Sequence, residues 1–375
     1  MKYSVDDLVK LAKRENNNIR SYLYVNPLQG KHIPARPEDT LDMCRELAGI
    51  VNNEYPEDML FVIGFAETAT GIASGVSDYL NNVVYYQNTT REIQENAEYL
   101  YFTESHSHAT DQMLRISGLA DCINEVDRII FIDDEVTTGN TICKLYKAIM
   151  NVSHVNDVKV SIVSVLNSMT QERREELTQM GFDCLFLSPL PFEYKKESIE
   201  GITYDPSRDT SEYKPLSVQY ETMVFNAHVN PRMVSRFEDY RAENLRFTGS
   251  VMATLADKHY GDVLVLGTEE FMYSAIMLGN EIKKAKISGE VRTHATTRSP
   301  IIASGSENYP LFHRYRIRSL YDSERNTYIY NLKKYDKVII VTDSTLESEG
   351  TTDLLCALES AGNDDIVVAQ WKYDQ

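Results

Sequence analysis

Residues 129–141 combine side chains that suit the binding of a phosphorylated sugar. The order IIFIDDEVTTGNT gives four apolar residues, two acids, and a turn rich in threonine and glycine. The first amides of a helix have no intrahelical partners and carry the positive end of the helix dipole, so a helix starting in this turn can bind a phosphate. Threonine hydroxyls add donors, and the glycine allows close approach of the backbone. The predicted phosphate-binding residues are Thr137, Thr138, Gly139, Asn140 and Thr141.

Asp133 and Asp134 precede this turn and must face something other than the phosphate, because carboxylates repel an anion. They can accept hydrogen bonds from the adjacent hydroxyls of a ribose, and a bound Mg²⁺ would offset their charge. Successive strand residues point to opposite faces, so we expect the strand to break at this pair. We predict that Asp133 and Asp134 are catalytic residues and Mg²⁺ ligands. The alternative is that these residues only cap and pack an ordinary strand-to-helix turn.

Short apolar runs that alternate with helical patterns predict an α/β protein with parallel sheets. Strands are predicted at residues 59–65, 82–88, 128–134, 158–166 and 182–188, and again at 262–267, 291–297 and 337–343. A polar, proline-containing connection at residues 191–215 is predicted to have little regular structure. The sequence therefore predicts two domains, at residues 1–210 and 211–375.

Three motifs of the first half recur in the second half in the same order. The matched pairs, at offsets of 203, 207 and 209 positions, are Gly64 with Gly267, Arg91 with Arg298, and Asp134 with Asp343. Any two strand-helix-strand units resemble each other, so coincidence is the alternative. The ordered matches favour a duplication in which the second domain is a degenerate copy.

Composition excludes several classes of partner. A net charge of -18, from 56 acidic and 38 basic residues, repels nucleic acid over the surface as a whole. No apolar run approaches the roughly 20 residues that cross a bilayer, and the N-terminus lacks the apolar stretch of a secretory signal. We therefore expect a cytoplasmic protein that contacts neither membrane nor nucleic acid, and the sequence leaves homo-oligomerisation open.

The segment at residues 129–141 resembles the phosphoribosyl pyrophosphate motif of type I phosphoribosyltransferases, which has four apolar residues, two acids and a Thr-Thr-Gly-x-Thr turn. It departs at Glu135, where that family usually has an apolar or small residue. The string TRSP at residues 297–300, downstream of this segment, resembles a bacterial family in which an orotate phosphoribosyltransferase-like domain precedes a TRSP domain. The resemblance covers nearly the whole chain. It implies a tellurium-resistance gene context and a role in nucleotide or nucleoside metabolism. Together with the internal repeat, it predicts two Rossmann-like, phosphoribosyltransferase-type domains.

The resemblance also implies roles for other residues of the first half. The loop that looks like the one holding the donor's pyrophosphate contains Ala66, Glu67, Thr68, Ala69 and Thr70, and Arg91 resembles the basic residue near it. His106, with His108 beside it, lies where this fold carries a mobile loop, and it either handles protons or is a solvated loop histidine. Lys31 and His32, in the N-terminal section that forms a hood over the acceptor, either meet the acceptor or belong to a structural loop.

In the second half, the turn after the matched aspartate is longer and carries extra carboxylates, which would repel a phosphate. A different ligand site is the prediction there, and a packed domain interface is the alternative. Its candidate residues by position are Glu269, Glu270, Arg298, Ser299 and Asp343. Residues 313–318 form a basic and aromatic patch that either grips an anion or is a solvated face.

These observations predict a phosphoribosyltransferase. It would transfer ribose 5-phosphate from phosphoribosyl pyrophosphate (PRPP) to a base-like acceptor, with Mg²⁺ as cofactor and pyrophosphate as product. A non-catalytic regulator that senses PRPP or a nucleotide is the alternative, because type I folds include such regulators.

Overall fold

The computed structural model describes residues 2–15, 20–94, 97–102, 112–153, 158–191, 195–255 and 258–373. The helices of these ranges are α1 (Val5–Leu8), α2 (Pro37–Glu54), α3 (Thr70–Ser77), α4 (Leu119–Ile123), α5 (Asn140–Ser153), α6 (Gln171–Gln179), α7 (Phe237–Leu255), α8 (Tyr273–Ala285) and α9 (Glu349–Ser360). Two 3₁₀ helices, Lys196–Ile199 and Pro206–Arg208, lie in the predicted connection. None of the helices in the described ranges is long and apolar enough to cross a bilayer.

The strands of the first half are β1 (Lys10–Lys13), β2 (Tyr22–Val25), β3 (Leu60–Gly64), β4 (Val83–Asn88), β5 (Tyr99–Tyr101), β6 (Met113–Arg115), β7 (Arg128–Val136), β8 (Lys159–Asn167) and β9 (Phe182–Pro189). The remaining strands are β10 (Asp209–Thr210), β11 (Tyr220–Ala227), β12 (Ser235–Arg236), β13 (Tyr260–Gly267), β14 (Ser288–Ala295), β15 (Arg314–Arg318), β16 (Asn326–Tyr330), β17 (Lys337–Thr342) and β18 (Ile366–Tyr373). Parallel strands interleaved with helices confirm the predicted α/β class.

The first half is built on a six-stranded sheet in the order β12-β4-β3-β7-β8-β9. All neighbouring pairs from β4 to β9 are parallel, and the short β12 runs antiparallel to β4. Alternate residues of β7 enter different cores: Ile130 and Ile132 face one, and Ile129 and Phe131 face the other. Because both faces of the sheet are covered, its strands are continuous apolar runs.

The second half has a five-stranded parallel sheet in the order β11-β18-β17-β13-β14. Helices α7 and α8 cover one face, through residues such as Phe247 and Leu278. Helix α9 and the small sheet β10-β15-β16 cover the other face, through residues such as Leu354 and Ile329. This half is therefore also a three-layer unit with its own core.

Four strands have the same order in both sheets. The order β4-β3-β7-β8 of the first half corresponds to β14-β13-β17-β18 of the second, and all these pairs are parallel. The fifth strand differs in origin, because β9 follows β8 along the chain whereas β11 precedes the other strands of its sheet. The agreement supports the duplication, which stays a prediction.

The two halves share elements and a core. Strand β12, beyond the predicted boundary at residue 210, pairs with β4, and β10, before it, pairs with β15. One apolar cluster contains side chains from both halves, and within it Tyr86 stacks on Tyr240 at 5.3 Å. Helix α3 also lies so close to α8 that a Cβ on Gly71 would be 3.1 Å from Ile276 Cδ1. The halves are therefore packed together as one body.

Candidate active site

A cavity of about 480 Å³ lies at the carboxyl ends of β3 and β7, between the first sheet, the N-terminal hood and the second half. The turn after β3, the segment after β4 and the end of β7 supply one side of it. The β1–β2 hairpin with its flanking residues, together with residues 298–301, supplies the other side. Residues far apart in the sequence therefore meet at one site, as expected where parallel strands end.

Asp133 and Asp134 both line this cavity and are half-buried. The predicted strand break is wrong, because β7 continues through both acids to Val136. Pairing with β3 stops at Ile132, however, and only β8 accompanies the acids, so one edge of the strand is open there. Burial and the charge of Asp134 raise the pKa of Asp133 well above its usual range, and burial also raises the pKa of Asp134.

Glu135, the position that departs from the motif, is neutralised by an arginine of the hood. Arg20 Nη2 lies 2.8 and 3.0 Å from the two carboxylate oxygens of Glu135, and Ser168 donates to the same carboxylate at 3.4 Å. Burial raises the pKa of Glu135, and Arg20 opposes that rise. Sequence reasoning missed Arg20 because nothing in its local context marks it as a partner of a residue 115 positions away.

The predicted phosphate turn follows the acids and is mostly exposed, outside the cavity lining. Gly139 has a φ of +69°, a value that favours glycine, and Asn140 N donates to Thr138 Oγ1 at 3.3 Å. Arg173 of α6 braces the turn through Thr138 O and Asn140 Oδ1, both at 2.8 Å. Helix α5 starts here with no acid in its first turn, which leaves its positive end open to an anion. Thr137 and Thr141 are exposed in the same turn.

In the predicted pyrophosphate loop, Ala66, Glu67 and Thr68 line the cavity, whereas Ala69 and Thr70 are buried at the start of α3. The Glu67 carboxylate lies 2.6 Å from Lys31 Nζ and 3.3 Å from Arg298 Nε. Burial opposes its ionisation, but these two cations lower the pKa of Glu67 to about 2. An anionic side chain therefore lies where the prediction places the pyrophosphate.

Arg91 lines the same cavity. Its backbone N–H donates to Glu270 Oε1 at 2.7 Å, which fixes the main chain at this point. Its guanidinium forms no ion pair within the described residues, and the buried Nε has no hydrogen-bond partner there. The side chain therefore retains donors for an anionic ligand.

The two hood candidates lie in different surroundings. Lys31 is fully buried, and its ammonium is saturated by Glu67 at 2.6 Å, Glu269 O at 2.6 Å and Thr296 O at 2.9 Å. Contrary to the prediction, it ties the halves together and does not line the cavity. His32 does line it, and its buried Nε2 has no partner in the described part of the chain. Burial and the charge of Lys31 lower the pKa of His32 to about 3, so its imidazole is neutral near pH 7.

The remaining candidates of the first half, His106 and His108, lie outside the described residues.

The second-half candidates divide into two groups. Arg298 and Ser299, from the TRSP string, line the cavity of the first half. The other three lie outside that lining, in a buried ionic network. Its hydrogen bonds join Glu269 to Arg298, Arg325 and Ser319, Glu270 to Arg232, Thr90 and Arg91, and Asp343 to Arg232 and Tyr321. For Glu269, Glu270 and Asp343 the structure favours the packed interface over a ligand site.

The arginines of the basic patch at residues 313–318 are paired with carboxylates from other parts of the chain. Arg314 is fully buried and donates to Asp209 at 3.0 Å and to Glu15 at 2.6 Å. Arg318 donates to Asp353 at 2.7 and 2.8 Å. These arginines are occupied by carboxylates, which argues against a gripped anion.

The acid pair also bears on metal binding. The described residues hold no cluster of three or more side chains suited to a metal ion, and neither Asp133 nor Asp134 has an ion-pair partner among them. Mg²⁺ usually takes one or two carboxylates and completes its shell with water and substrate oxygens. Asp133 and Asp134 are adjacent carboxylates with raised pKa values and no cationic partner among the described residues, so a bound Mg²⁺ would stabilise their ionised forms. The pair therefore fits such an ion.

Comparison with known proteins identifies two family regions. Residues 8–186 match the family model described as phosphoribosyl transferase, and residues 236–358 match the model of the TRSP domain found C-terminal to it. No curated protein matches the chain by sequence.

Solved structures of phosphoribosyltransferases also match, at low similarity. Adenine phosphoribosyltransferase from Giardia lamblia, complexed with 9-deazaadenine, is 13% identical with a TM-score of 0.38, covering 50% of this chain and 99% of that chain. The enzyme from Trypanosoma brucei, in complex with AMP, pyrophosphate and ribose-5-phosphate, is 12% identical with a TM-score of 0.33, covering 48% and 76%. A hypoxanthine-guanine phosphoribosyltransferase from Bacillus anthracis is 12% identical with a TM-score of 0.26, covering 41% and 79%. On the two family models together, the chain belongs to the family in which a phosphoribosyl transferase domain is followed by a TRSP domain.

Proposed function

We propose that this protein transfers ribose 5-phosphate from PRPP to a base-like acceptor and releases pyrophosphate, in nucleotide- or nucleoside-related metabolism. The observation that carries the proposal is the shared cavity. The acid pair Asp133 and Asp134, the loop residues 66–68 and Arg91, whose guanidinium has no ion-pair partner among the described residues, all line it, with His32 at the hood. Family membership supplies the reaction class, and the cavity supplies groups suited to the ribose and the pyrophosphate of the donor.

The acid pair would bind the ribose. Asp133 and Asp134 line the cavity, where their carboxylates would accept hydrogen bonds from two adjacent hydroxyls, although Asp133 Oδ1 already accepts from Asp134 N at 2.9 Å. They are also the residues that would hold Mg²⁺. When bound, Mg²⁺ supplies positive charge that stabilises the departing pyrophosphate. The positive end of α5, reached through the turn at residues 137–141, suits the 5′-phosphate.

The remaining groups would act on the leaving group and the acceptor. As the bond between the anomeric carbon and the pyrophosphate oxygen breaks, positive charge develops on the sugar and negative charge on the pyrophosphate, near Arg91. A nitrogen of the acceptor then bonds to the anomeric carbon, and its proton passes to the departing pyrophosphate. His32, neutral and with Nε2 unpartnered, can hydrogen-bond the acceptor and hold it in line.

Calorimetric titration of PRPP, with and without Mg²⁺, tests this proposal directly. Wild type is compared with Asp133→Asn/Asp134→Asn, and pyrophosphate release is followed against a panel of bases. We expect Mg²⁺-dependent binding that the double variant loses, and release that depends on the base. Absence of PRPP binding by the wild type would overturn the proposal.

A regulator that binds PRPP without turning it over is the second candidate. The observation that favours it is Glu67, whose carboxylate lies in the pyrophosphate loop and would oppose the additional negative charge that develops on a departing pyrophosphate. In the same titration, tight PRPP binding with no pyrophosphate release against any base would support the regulator over the enzyme.

A further inference from the structure

Arg298 belongs to the second half by sequence but to the first half by location. It follows β14 at the position matched to Arg91 after β4, yet its side chain lines the first-half cavity together with Glu67, Thr68 and Arg91. The two arginines at matched positions therefore meet at one cavity. Their halves approach there because the turns after β3 and β13 are in contact, with Thr70 Oγ1 donating to Glu270 O at 2.8 Å.

Each of these arginines has a buried nitrogen without a partner. In the described residues, Arg298 Nη1 and Arg91 Nε make no hydrogen bond. Unpaired buried donors are costly in folded proteins. Such guanidinium nitrogens also occur away from the cavity, for example at Arg115 and Arg174, so Arg298 and Arg91 are distinguished by their shared place at the cavity. Two such donors at one cavity indicate a ligand with several anionic oxygens, and pyrophosphate has this chemistry.

The rest of the Arg298 side chain is held in place. Its Nε lies 2.9 Å from Glu269 Oε2 and 3.3 Å from Glu67 Oε2, and Nη2 contacts Glu92. The side chain is 9% exposed. These contacts leave Nη1 as the free nitrogen and fix its position before any ligand arrives, which reduces the entropy lost on binding.

Four carboxylates surround Arg298, those of Glu67, Glu92, Glu269 and Glu270, and together they balance Arg298 and the three other cations that they contact. What Arg298 offers a ligand is therefore the free Nη1 donor and not a surplus of positive charge. Glu269 is also shared with Arg325 at 2.9 Å, and Glu270 with Arg232 at 2.9 Å. Glu67 is also shared with Lys31 at 2.6 Å. Each carboxylate therefore has a second cation, and Arg298 need not neutralise them alone.

The main chain around Arg298 is anchored on both sides. Thr297 N donates to Tyr328 O at 2.8 Å, within the second half. Pro300 O accepts from Glu15 N at 2.9 Å, and Ile302 N donates to Lys13 O at 3.0 Å, which joins the string to the hood. The TRSP string is therefore a fixed wall of the cavity, running from the pyrophosphate loop to the hood.

We propose that Arg298 binds the pyrophosphate group of PRPP together with Arg91, so that each half contributes one arginine to a single composite site. This inference rests on the proposed function. It assigns the TRSP string to the donor site of the first half, which explains how the second half serves the same reaction without a phosphate turn of its own.

The test is a calorimetric comparison of Mg²⁺·PRPP, inorganic pyrophosphate and ribose 5-phosphate on the full chain. The variants are Arg298→Gln, Arg298→Lys and, as matched control, Arg325→Gln. Arg325 contacts the same carboxylates, Glu92 and Glu269, but does not line the cavity. Thermal unfolding of each variant reports whether it folds, and Arg298→Lys keeps the charge if Arg298→Gln does not fold.

We expect Arg298→Gln to weaken pyrophosphate and PRPP binding about tenfold or more, with ribose 5-phosphate unchanged, and Arg298→Lys to lose less. Arg325→Gln should bind all three ligands as the wild type does. Wild-type pyrophosphate affinity in both Arg298 variants, or an equal loss in Arg325→Gln, would overturn the inference while leaving the proposed function intact. If the wild type itself binds neither PRPP nor pyrophosphate, the proposed function fails and this inference fails with it.

Discussion

The matched acid segments of the two halves have opposite environments. At the end of β7, Asp133 and Asp134 face a cavity and have no ion-pair partner among the described residues. At the end of β17, Asp343 also borders a cavity, but its carboxylate is ion-paired with Arg232 and hydrogen-bonded by Tyr321 at 2.5 Å. Among the described residues, the acid at this position of the shared strand order thus has a cationic partner in the second half and none in the first.

The turns that follow the acids, before α5 and before α9, also differ: the first is open to a ligand and the second is packed against protein. The first turn is short, contains Gly139 at positive φ and opens α5 without an acid. The second is longer and capped by its own Ser348, whose side chain accepts from Thr351 N at 3.1 Å. A Cβ on Gly350 would be 2.3 Å from Ser319 O, so this helix start is packed against protein. Equal backbone order therefore does not imply equal function, because the partners of the terminal acid decide whether it can bind a ligand.

The largest expected effect is on the free energy of unfolding and concerns the ion-paired Asp343 of the second half. Asp343→Asn should lower the free energy of unfolding by about 3 kcal/mol, because it leaves the buried Arg232 with Glu270 as its remaining carboxylate. Chemical denaturation measures this, with the exposed Glu347→Gln in the same turn as control, expected within about 0.5 kcal/mol of wild type. PRPP affinity should stay unchanged. A selective loss of PRPP affinity would contradict our assignment of Asp343 as a structural residue.

The next effect concerns Asp133 and Asp134 of the first half, where we expect a loss of ligand affinity without a loss of stability. Asp133→Asn/Asp134→Asn should weaken Mg²⁺-dependent PRPP binding about a hundredfold, equivalent to about 2.7 kcal/mol. The melting temperature should stay the same or rise, because two like-charged, partly buried carboxylates oppose folding when ionised. A melting temperature that falls as far as that of Asp343→Asn would show that the pair is structural.

The third prediction concerns pH. Burial raises the pKa values of Asp133 and Asp134, and the charge of Asp134 raises that of Asp133 further, so the unliganded folded protein holds a proton that an unfolded chain would release. Stability from this pair should therefore be greatest at low pH and fall as pH rises from about 4 through the raised pKa. Mg²⁺·PRPP binding needs the ionised pair, so affinity should drop about tenfold for each pH unit below that pKa.

Calorimetry and thermal unfolding over a pH series check both trends. Asp134→Asn should shift the binding profile to lower pH, because it removes the charge that raises the pKa of Asp133. An unshifted profile would mean that the titration belongs to another group.

The smallest expected effect concerns Glu135, which has no acidic counterpart in the second half, where Ser344 follows Asp343. Arg20→Gln should cost about 1 kcal/mol of stability, because the pair with Glu135 is partly exposed. A double-mutant cycle with Glu135→Gln measures the coupling energy. Strict additivity of the two changes would mean that the hood is held to β7 by other contacts.

Sequence patterns predicted the central strands well. The prediction at 128–134 corresponds to Arg128–Val136, and that at 158–166 to Lys159–Asn167, because strands buried on both faces have continuous apolar runs. The edge strand β11 was missed, since most of its residues are exposed and half of them are polar or charged. The β1–β2 hairpin was also missed, because each strand has four residues and its pattern is too short to distinguish.

For the site, the sequence indicated the side chains at the strand ends, but it did not indicate the contacts between side chains of the two halves. The acid pair and Arg91 follow strands whose ends share one edge of the sheet, so their proximity could be inferred. The contacts that cross between halves, Lys31 with Glu269 O and Arg298 with Glu67, span more than 200 positions, and no local pattern marks them. The assignment of Lys31 to the acceptor failed for this reason.

The shared apolar core makes the two halves depend on each other for folding. A gene divided after residue 210 would yield one polypeptide without β12 and another with Tyr240 and Tyr273 stripped of their first-half neighbours. Both fragments would display apolar surface that invites aggregation. A premature stop in the second half would likewise remove part of the cavity wall together with part of the core. We therefore expect the two halves to fold stably only as one chain.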